Sequence, residues 1–266
     1  MLSACNHWRL NMAMQENCIV REVECLGSGL YRIVMQAPKI AAAAVTGQFV
    51  HIACGEGNML RRPISICDAQ ADSLTVVFVV KGEGTQWLSQ RKAGDELDLL
   101  GPLGNGFDLE KLGSAPVFIG GGIGVPPMLY TVKEAKKRGC CPTAILGFRS
   151  KEAVILQSEF EQEAQTYITT DDGSYGIAGF VSDVLQKHIG EYTSVCCCGP
   201  KKMLETLAKL AEKAGIPCQV SMEERMGCGI GACLVCVCQL KGEKEETRYG
   251  HVCKDGPVFD SKEVIW

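Results

Sequence analysis

Four cysteines near the C-terminus have the type and spacing for redox chemistry. Cys228 is followed by Cys233 and Cys236, with four and then two residues between them, and sixteen residues separate Cys236 from Cys253. Soft thiolates are the donors that iron–sulfur clusters require. A four-then-two spacing with a distant fourth cysteine is that of plant-type 2Fe–2S sites. The interleaved Gly229 and Gly231 let a tight loop wrap such a group and turn backbone N–H groups toward its sulfides. Four cysteines can also hold one zinc ion tetrahedrally, but zinc knuckles usually pair two CxxC units, and only Cys233/Cys236 has that spacing. Cys238, two residues beyond Cys236, would share its face on an extended segment and is read as packing.

Three further segments have residues suited to phosphates and flat rings. In Arg61-Arg62-Pro63-Ile64-Ser65 an arginine can pair with phosphate, and the proline fixes the backbone for close approach to a ring. Gly84-Thr85 opens a short helix whose free N–H groups suit a pyrophosphate. Gly120-Gly121-Gly122-Ile123-Gly124-Val125-Pro126-Pro127 joins a strand to a helix, where glycines let a dinucleotide lie against the backbone. It is not a strict GxGxxG, and a tight strand–helix turn is the plain alternative. Cys196-Cys197-Cys198-Gly199-Pro200 ends a strand. Ligands of open parallel sheets bind at the carboxyl ends of strands, which places Cys198 at a nicotinamide, although a buried strand before a Gly-Pro turn accounts for the same residues. The histidines His7, His51, His188 and His251 form no constellation and are read as structural or surface residues. A Rieske centre would need two of them as ligands.

The elements that must position these residues change character along the chain. Up to about residue 100, short β-rich runs (Cys18–Cys25, Leu30–Met35, Phe49–Ala53, Leu74–Val80, Glu96–Leu100) alternate with glycine turns, including Gly27-Ser28-Gly29. That spacing predicts an antiparallel barrel or sandwich, with one short helix over Thr85–Arg91. From Ala115, strands at Pro116–Gly120, Thr143–Phe148, Tyr167–Thr170, Ser194–Cys198 and Cys218–Met222 alternate with helical stretches at Pro126–Arg138, Phe160–Glu163, Val181–His188 and Lys201–Ala214. This is the rhythm of βαβ units and a parallel sheet. From Glu223 the chain is rich in cysteine and glycine, with a β-like run at Leu234–Leu240. The expected domains are 12–110, 111–222 and 223–266.

The 266 residues carry a formal net charge of −4, which predicts neither nucleic-acid nor bilayer attraction. No apolar run reaches the ~20 residues a membrane helix needs. Met1–Met12 lacks the basic start and apolar middle of a secretory signal, so the expected location is cytoplasmic. In that reducing compartment most of the sixteen cysteines, Cys18, Cys25, Cys54, Cys67 and Cys218 among them, read as small apolar side chains rather than disulfides.

These motifs, in this order, resemble the ferredoxin–NADP reductase superfamily over nearly the whole chain. The resemblance implies a multidomain β plus α/β protein: an antiparallel Greek-key flavin-binding barrel, a parallel-sheet nucleotide-binding domain and a small C-terminal 2Fe–2S module. Arg62-Pro63-Ile64-Ser65 matches the flavin motif, with Ile64 where an aromatic residue is common. Gly120–Gly124 matches the nucleotide loop, and Cys198-Gly199-Pro200 the motif beside the nicotinamide. The stretch from Glu224-Arg225-Met226 to Cys236, with Cys253-Lys254-Asp255-Gly256-Pro257-Val258-Phe259, looks like the electron-transfer subunits of type B, NAD-dependent dihydroorotate dehydrogenase.

That likeness implies FAD, one 2Fe–2S cluster held by Cys228, Cys233, Cys236 and Cys253, and NAD as substrate. It implies cofactor-binding roles for Arg62, Pro63, Ile64, Ser65, Val79, Val80, Lys81, Gly84, Thr85, Gly120, Gly121, Gly122, Gly124, Cys198, Gly199 and Pro200. The expected partner is an FMN-containing dihydroorotate dehydrogenase catalytic subunit, in a heterotetramer of two of each, serving pyrimidine biosynthesis. Electrons would pass from that subunit through the cluster and FAD to NAD+. A flavin is the needed converter, because clusters move one electron and nicotinamide takes two. No general base stands among the motifs, as expected of a chain that positions cofactors. Small subunits of NADH-dependent ferredoxin–NADP reductases or sulfide dehydrogenases share much of the pattern, and a zinc-binding scaffold is the non-enzyme alternative.

Overall fold

The computed structural model describes residues 13–27, 29–242 and 246–266. Met1–Met12, with His7, and Ser28 of the first glycine turn lie outside the described residues.

The N-terminal half closes into a barrel of six antiparallel strands: β1 (Met14–Gly27), β2 (Leu30–Gln36), β3 (Phe49–Ile52), β4 (Arg62–Gln70), β5 (Ser73–Val79) and β6 (Glu96–Leu103). Their order is β1-β2-β5-β4-β3-β6, so the barrel has no free edge. Between Glu16 and Val20 buried and exposed residues alternate, the period-2 pattern that aims every second side chain inward. Val20, Ile33, Val50, Ile52, Ile66, Leu74 and Leu99 fill the interior. Glu16 is also buried. Its carboxylate accepts from the Lys39 and Ile40 amides at 3.1 and 2.8 Å, and so satisfies the first turn of helix α1 (Pro38–Ala43), which covers one end of the barrel. The next helix is α2 (Glu83–Ser89).

Strand β4 departs from the sequence expectation. Arg62-Pro63-Ile64-Ser65 opens a nine-residue strand that the β-rich runs of the sequence did not include. Its Pro63 obscured the signal, yet the position is tolerated because it is the second residue of the strand.

The second layer system is a seven-stranded sheet. It runs β10 (Ile177–Ala178), β9 (Gln165–Thr170), β8 (Thr143–Phe148), β7 (Pro116–Gly121), β11 (Ser194–Cys198), β12 (Cys218–Ser221) and β15 (Val258–Asp260). All neighbours are parallel except β12 and β15. Strands β7 and β11 are buried at every residue, which is why they read as continuous apolar runs rather than alternating ones. Helices α3 (Val125–Lys137), α4 (Gln157–Glu163), α5 (Val181–His188) and α6 (Lys201–Ala214) connect the strands. Among the described residues, no helix is long and apolar enough to cross a membrane.

The C-terminal segment carries the cysteine loop and a hairpin of β13 (Val237–Lys241) and β14 (Thr247–His251). Its last strand, β15, then returns to the sheet, where Phe259 pairs with Val220. Cys236, Val252 and Cys253 share one core cluster with Val195 and Val220 of the sheet, Leu204 of α6, and Phe49 and Leu103 of the barrel. Asn105 adds a polar tie, donating from its side chain to the carbonyls of Lys254 and Asp255 at 3.1 and 3.0 Å. The cysteine loop is thus held by both larger units.

Candidate functional site

In the cysteine loop, Gly229 and Gly231 take left-handed backbone angles of +73° and +80°, conformations that side chains disfavour. The resulting turn points amides at sulfur. Ala232 and Cys233 donate to Cys228 Sγ at 3.2 and 3.3 Å, and Gly231 donates to Cys253 Sγ at 3.1 Å. Burial pushes the Cys228 thiol up. The N–H groups of Ile230, Cys233 and Ala232, with the Cys233 thiol, outweigh it and bring it down to about 6. Burial, then the adjoining Cys236 thiol, lifts Cys253 to about 12.

Cys233 acts on the Cys228 thiol and Cys236 on the Cys253 thiol, with Cys228 near enough to act on Cys253 as well. Two irons that each take two protein sulfurs fit this grouping, and the four-then-two spacing favours them over one zinc. Cys238 is buried on β13 and has its thiol pushed up by burial.

The second feature is a cavity of about 560 Å³ on the outer face of the barrel, within the usual range for cofactor sites. Strands β3 and β4 set it up: Phe49 lies opposite Ser65 and His51 opposite Pro63, so these four share one face while Val50 and Ile52 point into the barrel. Of the residues singled out in the sequence, Arg62, Pro63, Ile64, Ser65, Val79, Lys81 and Thr85 line this cavity. Val80 packs against the barrel core instead. Gly84 acts through its missing side chain, because a Cβ there would come 2.5 Å from Arg62 Nε. Thr85 Oγ1 accepts from the Lys81 and Gly82 amides at 2.9 and 3.2 Å and so fixes the turn under the cavity.

The two adjacent arginines part company. Arg61 is ion-paired with Asp98 and also donates to the Asp98 carbonyl at 2.9 Å. Arg62 faces the cavity, bonded to Asn58 Oδ1 at 2.9 Å and to the Leu60 carbonyl. Met226, two residues before Cys228, lines the same cavity. So does Glu223, whose carboxyl partial burial holds above the usual range while Lys81 pulls it back.

A second cavity of about 510 Å³ lies at the carboxyl ends of the sheet strands. Gly121, Gly122 and Pro200 line it. Gly120, Gly124, Cys198 and Gly199 lie behind them. Cys198 and Gly120 are register partners on β11 and β7, and a Cβ on Gly124 would meet the Cys198 carbonyl oxygen at 2.4 Å. The two motifs, far apart in sequence, pack backbone to backbone. The Cys198 thiol is buried and pushed up to about 12 by that burial and by Glu223, with Ser221 acting the other way. Sequence reasoning passed over Arg149, Asp171 and Phe180, which complete this cavity. Each stands in or just after a turn beyond a strand, with no spacing of its own to mark it.

Comparison with known proteins adds to this geometry. Residues 223–265 match the iron–sulfur cluster binding domain of dihydroorotate dehydrogenase B. The electron transfer subunit of dihydroorotate dehydrogenase B (NAD+) from Bacillus caldolyticus is 41% identical over 260 residues, spanning 96% of this chain and all of that protein. The chain belongs to this family of electron transfer subunits. Its counterpart in Bacillus cereus (strain B4264) is 40% identical over 261 residues, again across 96% of this chain and the whole of that protein. Among solved structures, NADH-dependent reduced ferredoxin–NADP oxidoreductase, studied for flavin-based electron bifurcation, superimposes with a TM-score of 0.84 at 28% identity, covering 94% of this chain and 90% of that one. A ferredoxin–NADP+ reductase from Neisseria gonorrhoeae shares the fold, with a TM-score of 0.65 at 20% identity over 76% of this chain and 92% of that one.

Proposed function

We propose that this chain is the electron transfer subunit of an NAD-dependent dihydroorotate dehydrogenase B in the cytoplasm, working in pyrimidine biosynthesis with an FMN-containing catalytic subunit in a heterotetramer of two of each. The observation that carries the reading is adjacency: Arg225 and Met226 line the barrel cavity, and the cysteine loop begins two residues later. When bound, a 2Fe–2S cluster relays single electrons, and FAD gathers two for hydride exchange with NAD.

The chain's own residues bind and orient. Cys228, Cys233, Cys236 and Cys253 supply the thiolates, and the amides of Gly231, Ala232 and Cys233 offset their charge. Arg62, with Gly84 and Thr85, takes the flavin pyrophosphate, while Pro63, Ile64 and Ser65 of β4 and Val79 and Lys81 at the end of β5 form the wall against the ring system, with Val80 packed behind them. Gly120, Gly121, Gly122 and Gly124, with Cys198, Gly199 and Pro200, hold the nicotinamide nucleotide across β7 and β11. The working division of the chain is 12–110 for flavin, 111–222 for nucleotide and 223–266 for the cluster.

The face toward the partner is apolar and surrounds the cysteine loop. Leu234 is 76% exposed, Ile230 52% and Met59 96%, with Leu60 and Val235 beside them. Asn58 to Arg62 and Val235 border one shared groove, which joins the barrel loop to the module. An apolar patch of this kind marks a protein contact.

Purified chain is expected to contain FAD and about two irons, as a single 2Fe–2S centre requires, and to oxidise NADH with artificial acceptors without touching dihydroorotate. Adding the FMN-bearing catalytic subunit is expected to restore NAD-linked dihydroorotate oxidation. Turnover of dihydroorotate by the isolated chain would refute the assignment. The structural likeness to NADH-dependent reduced ferredoxin–NADP oxidoreductase favours a second reading, as small subunit of such an enzyme or of a sulfide dehydrogenase. Co-purification with a partner that reduces ferredoxin rather than oxidising dihydroorotate would select it.

A further inference from the structure

His51 is the feature that the sequence left as a structural histidine and that the site so far does not use. It lies on β3, only 1% exposed, and neither ring nitrogen has a hydrogen-bond partner among the described residues. Burial first, then the charges of Arg61 and Arg62, bring the imidazole down to about 4. A neutral ring carries one N–H donor and one acceptor. A buried donor left without a partner is costly, so such groups are normally satisfied by something.

What faces the ring is the cysteine loop. A Cβ on Gly229 would sit 2.7 Å from His51 Nδ1 and 3.0 Å from Cε1, so the backbone just after Cys228 lies directly against this imidazole. Gly229 is therefore required twice, by its +73° angle and by the histidine. The flavin cavity adjoins the same face of the barrel. Phe49 lines it and meets His51 edge-on, with ring centroids 6.3 Å apart, and His51 does not reach the cavity wall. The loop's own amides already converge on Cys228 Sγ. An imidazole N–H arriving from the barrel side adds a donor of the same kind.

We propose that His51 is a positioning residue that donates its ring N–H to a sulfide of the cluster carried by this loop, and so ties the cluster to the strand paired with the flavin motif. Hydrogen bonds to cluster sulfurs are among the factors that set reduction potential. A donor favours the reduced, more negative cluster, so its loss lowers the potential. The inference rests on the cluster reading above, and iron analysis of the parent protein tests that reading separately.

The experiment uses the full chain with cluster and flavin bound. In EPR-monitored redox titrations, His51→Leu is expected to shift the cluster midpoint downward by about tenfold in the electron-partition constant, ~59 mV for one electron, with the flavin midpoint unmoved. His51→Gln keeps an N–H and is expected to recover part of the shift. His251 is the control, because it also has an unpartnered ring nitrogen, Nε2, and lies close to Cys253, with its Nδ1 3.5 Å from Asp255. In protein labelled with 15N-histidine, the reduced cluster is expected to show imidazole hyperfine coupling that survives His251→Leu and vanishes in His51→Leu. No imidazole coupling in the iron-replete parent would overturn the proposal, even if the variants fail to fold. So would coupling that vanishes only in His251→Leu, or a His51→Leu shift confined to the flavin. A parent with no iron would instead refute the cluster reading itself.

Discussion

The cysteines of β11 and Cys228 of the C-terminal loop meet opposite surroundings. On β11, Cys196, Cys197 and Cys198 are buried in the middle of the sheet, and their thiols are pushed far up, Cys196 and Cys198 chiefly by burial and Cys197 first by its bond with Cys218 and then by burial. In the C-terminal loop, Cys228 is only partly covered and receives backbone N–H groups, which bring it down to about 6. Residue type is the same, and sulfur chemistry is decided by what points at it. Apolar walls keep a thiol protonated and make it a packing group, whereas converging amides favour the thiolate that a metal takes. The neighbours Arg61 and Arg62 repeat the contrast with charge: one is used up on Asp98, the other is left facing a cavity.

The sharpest way to break this comparison is to exchange serine for cysteine in each group. Cys233→Ser is expected to take iron from about two per chain, the 2Fe–2S complement, to essentially none, and to block electron flow between the subunits. Cys238→Ser, outside the four-cysteine set, is expected to keep the metal. Iron retained in Cys233→Ser, or lost in Cys238→Ser, would mean that the ligand set has been misread.

The arginine pair gives the next largest effect. Arg62→Ala is expected to weaken FAD binding by about 1.5–3 kcal/mol, the scale of hydrogen bonds to charged groups, roughly 10- to 150-fold in Kd by flavin fluorescence titration. Arg61→Ala is expected to lower thermal stability while leaving flavin affinity within a few-fold. Equal loss of flavin from both would show that the cavity does not discriminate between them.

In the sheet, Cys197→Ser places a hydroxyl in the packed interior beside Cys218. Chemical denaturation is expected to show a loss of about 1–3 kcal/mol, as for a buried polar group poorly satisfied, with iron and flavin content unchanged. Metal loss in this variant would erase the distinction between the two cysteine groups.

The smallest effect is a pH dependence at the cavity mouth. Glu223 is held above the ordinary carboxylate value by partial burial, so the native state keeps its proton more tightly than the unfolded chain. Stability should therefore decline as pH rises from about 4.5 through the raised native value, and then level off. Glu223→Gln is expected to flatten that decline, and a steeper one would reverse the assigned direction.

What the sequence determined by itself was chemistry carried in short windows. The four-then-two cysteine spacing, the glycine run between strand and helix, and the switch from β-rich turns to alternating strands and helices are local patterns, because ligand loops and backbone periodicity are set by neighbours along the chain. They were enough for the barrel, the parallel sheet and the order of the motifs. Tertiary structure decided the rest. Pro63 hid a strand that its pairing with β3 and β5 defines. Strand β15 joins the sheet across from β12, nearly forty residues away, and no local signal announces such a pairing. His51 and Gly229 meet although 177 residues separate them. Met59 and Leu60 join Val235 on the face around the cluster loop only because barrel and module pack together. The reason is physical: spacing along a strand or turn fixes which way a residue points, but which distant surface it meets depends on long-range register and packing, to which each residue adds only a small part.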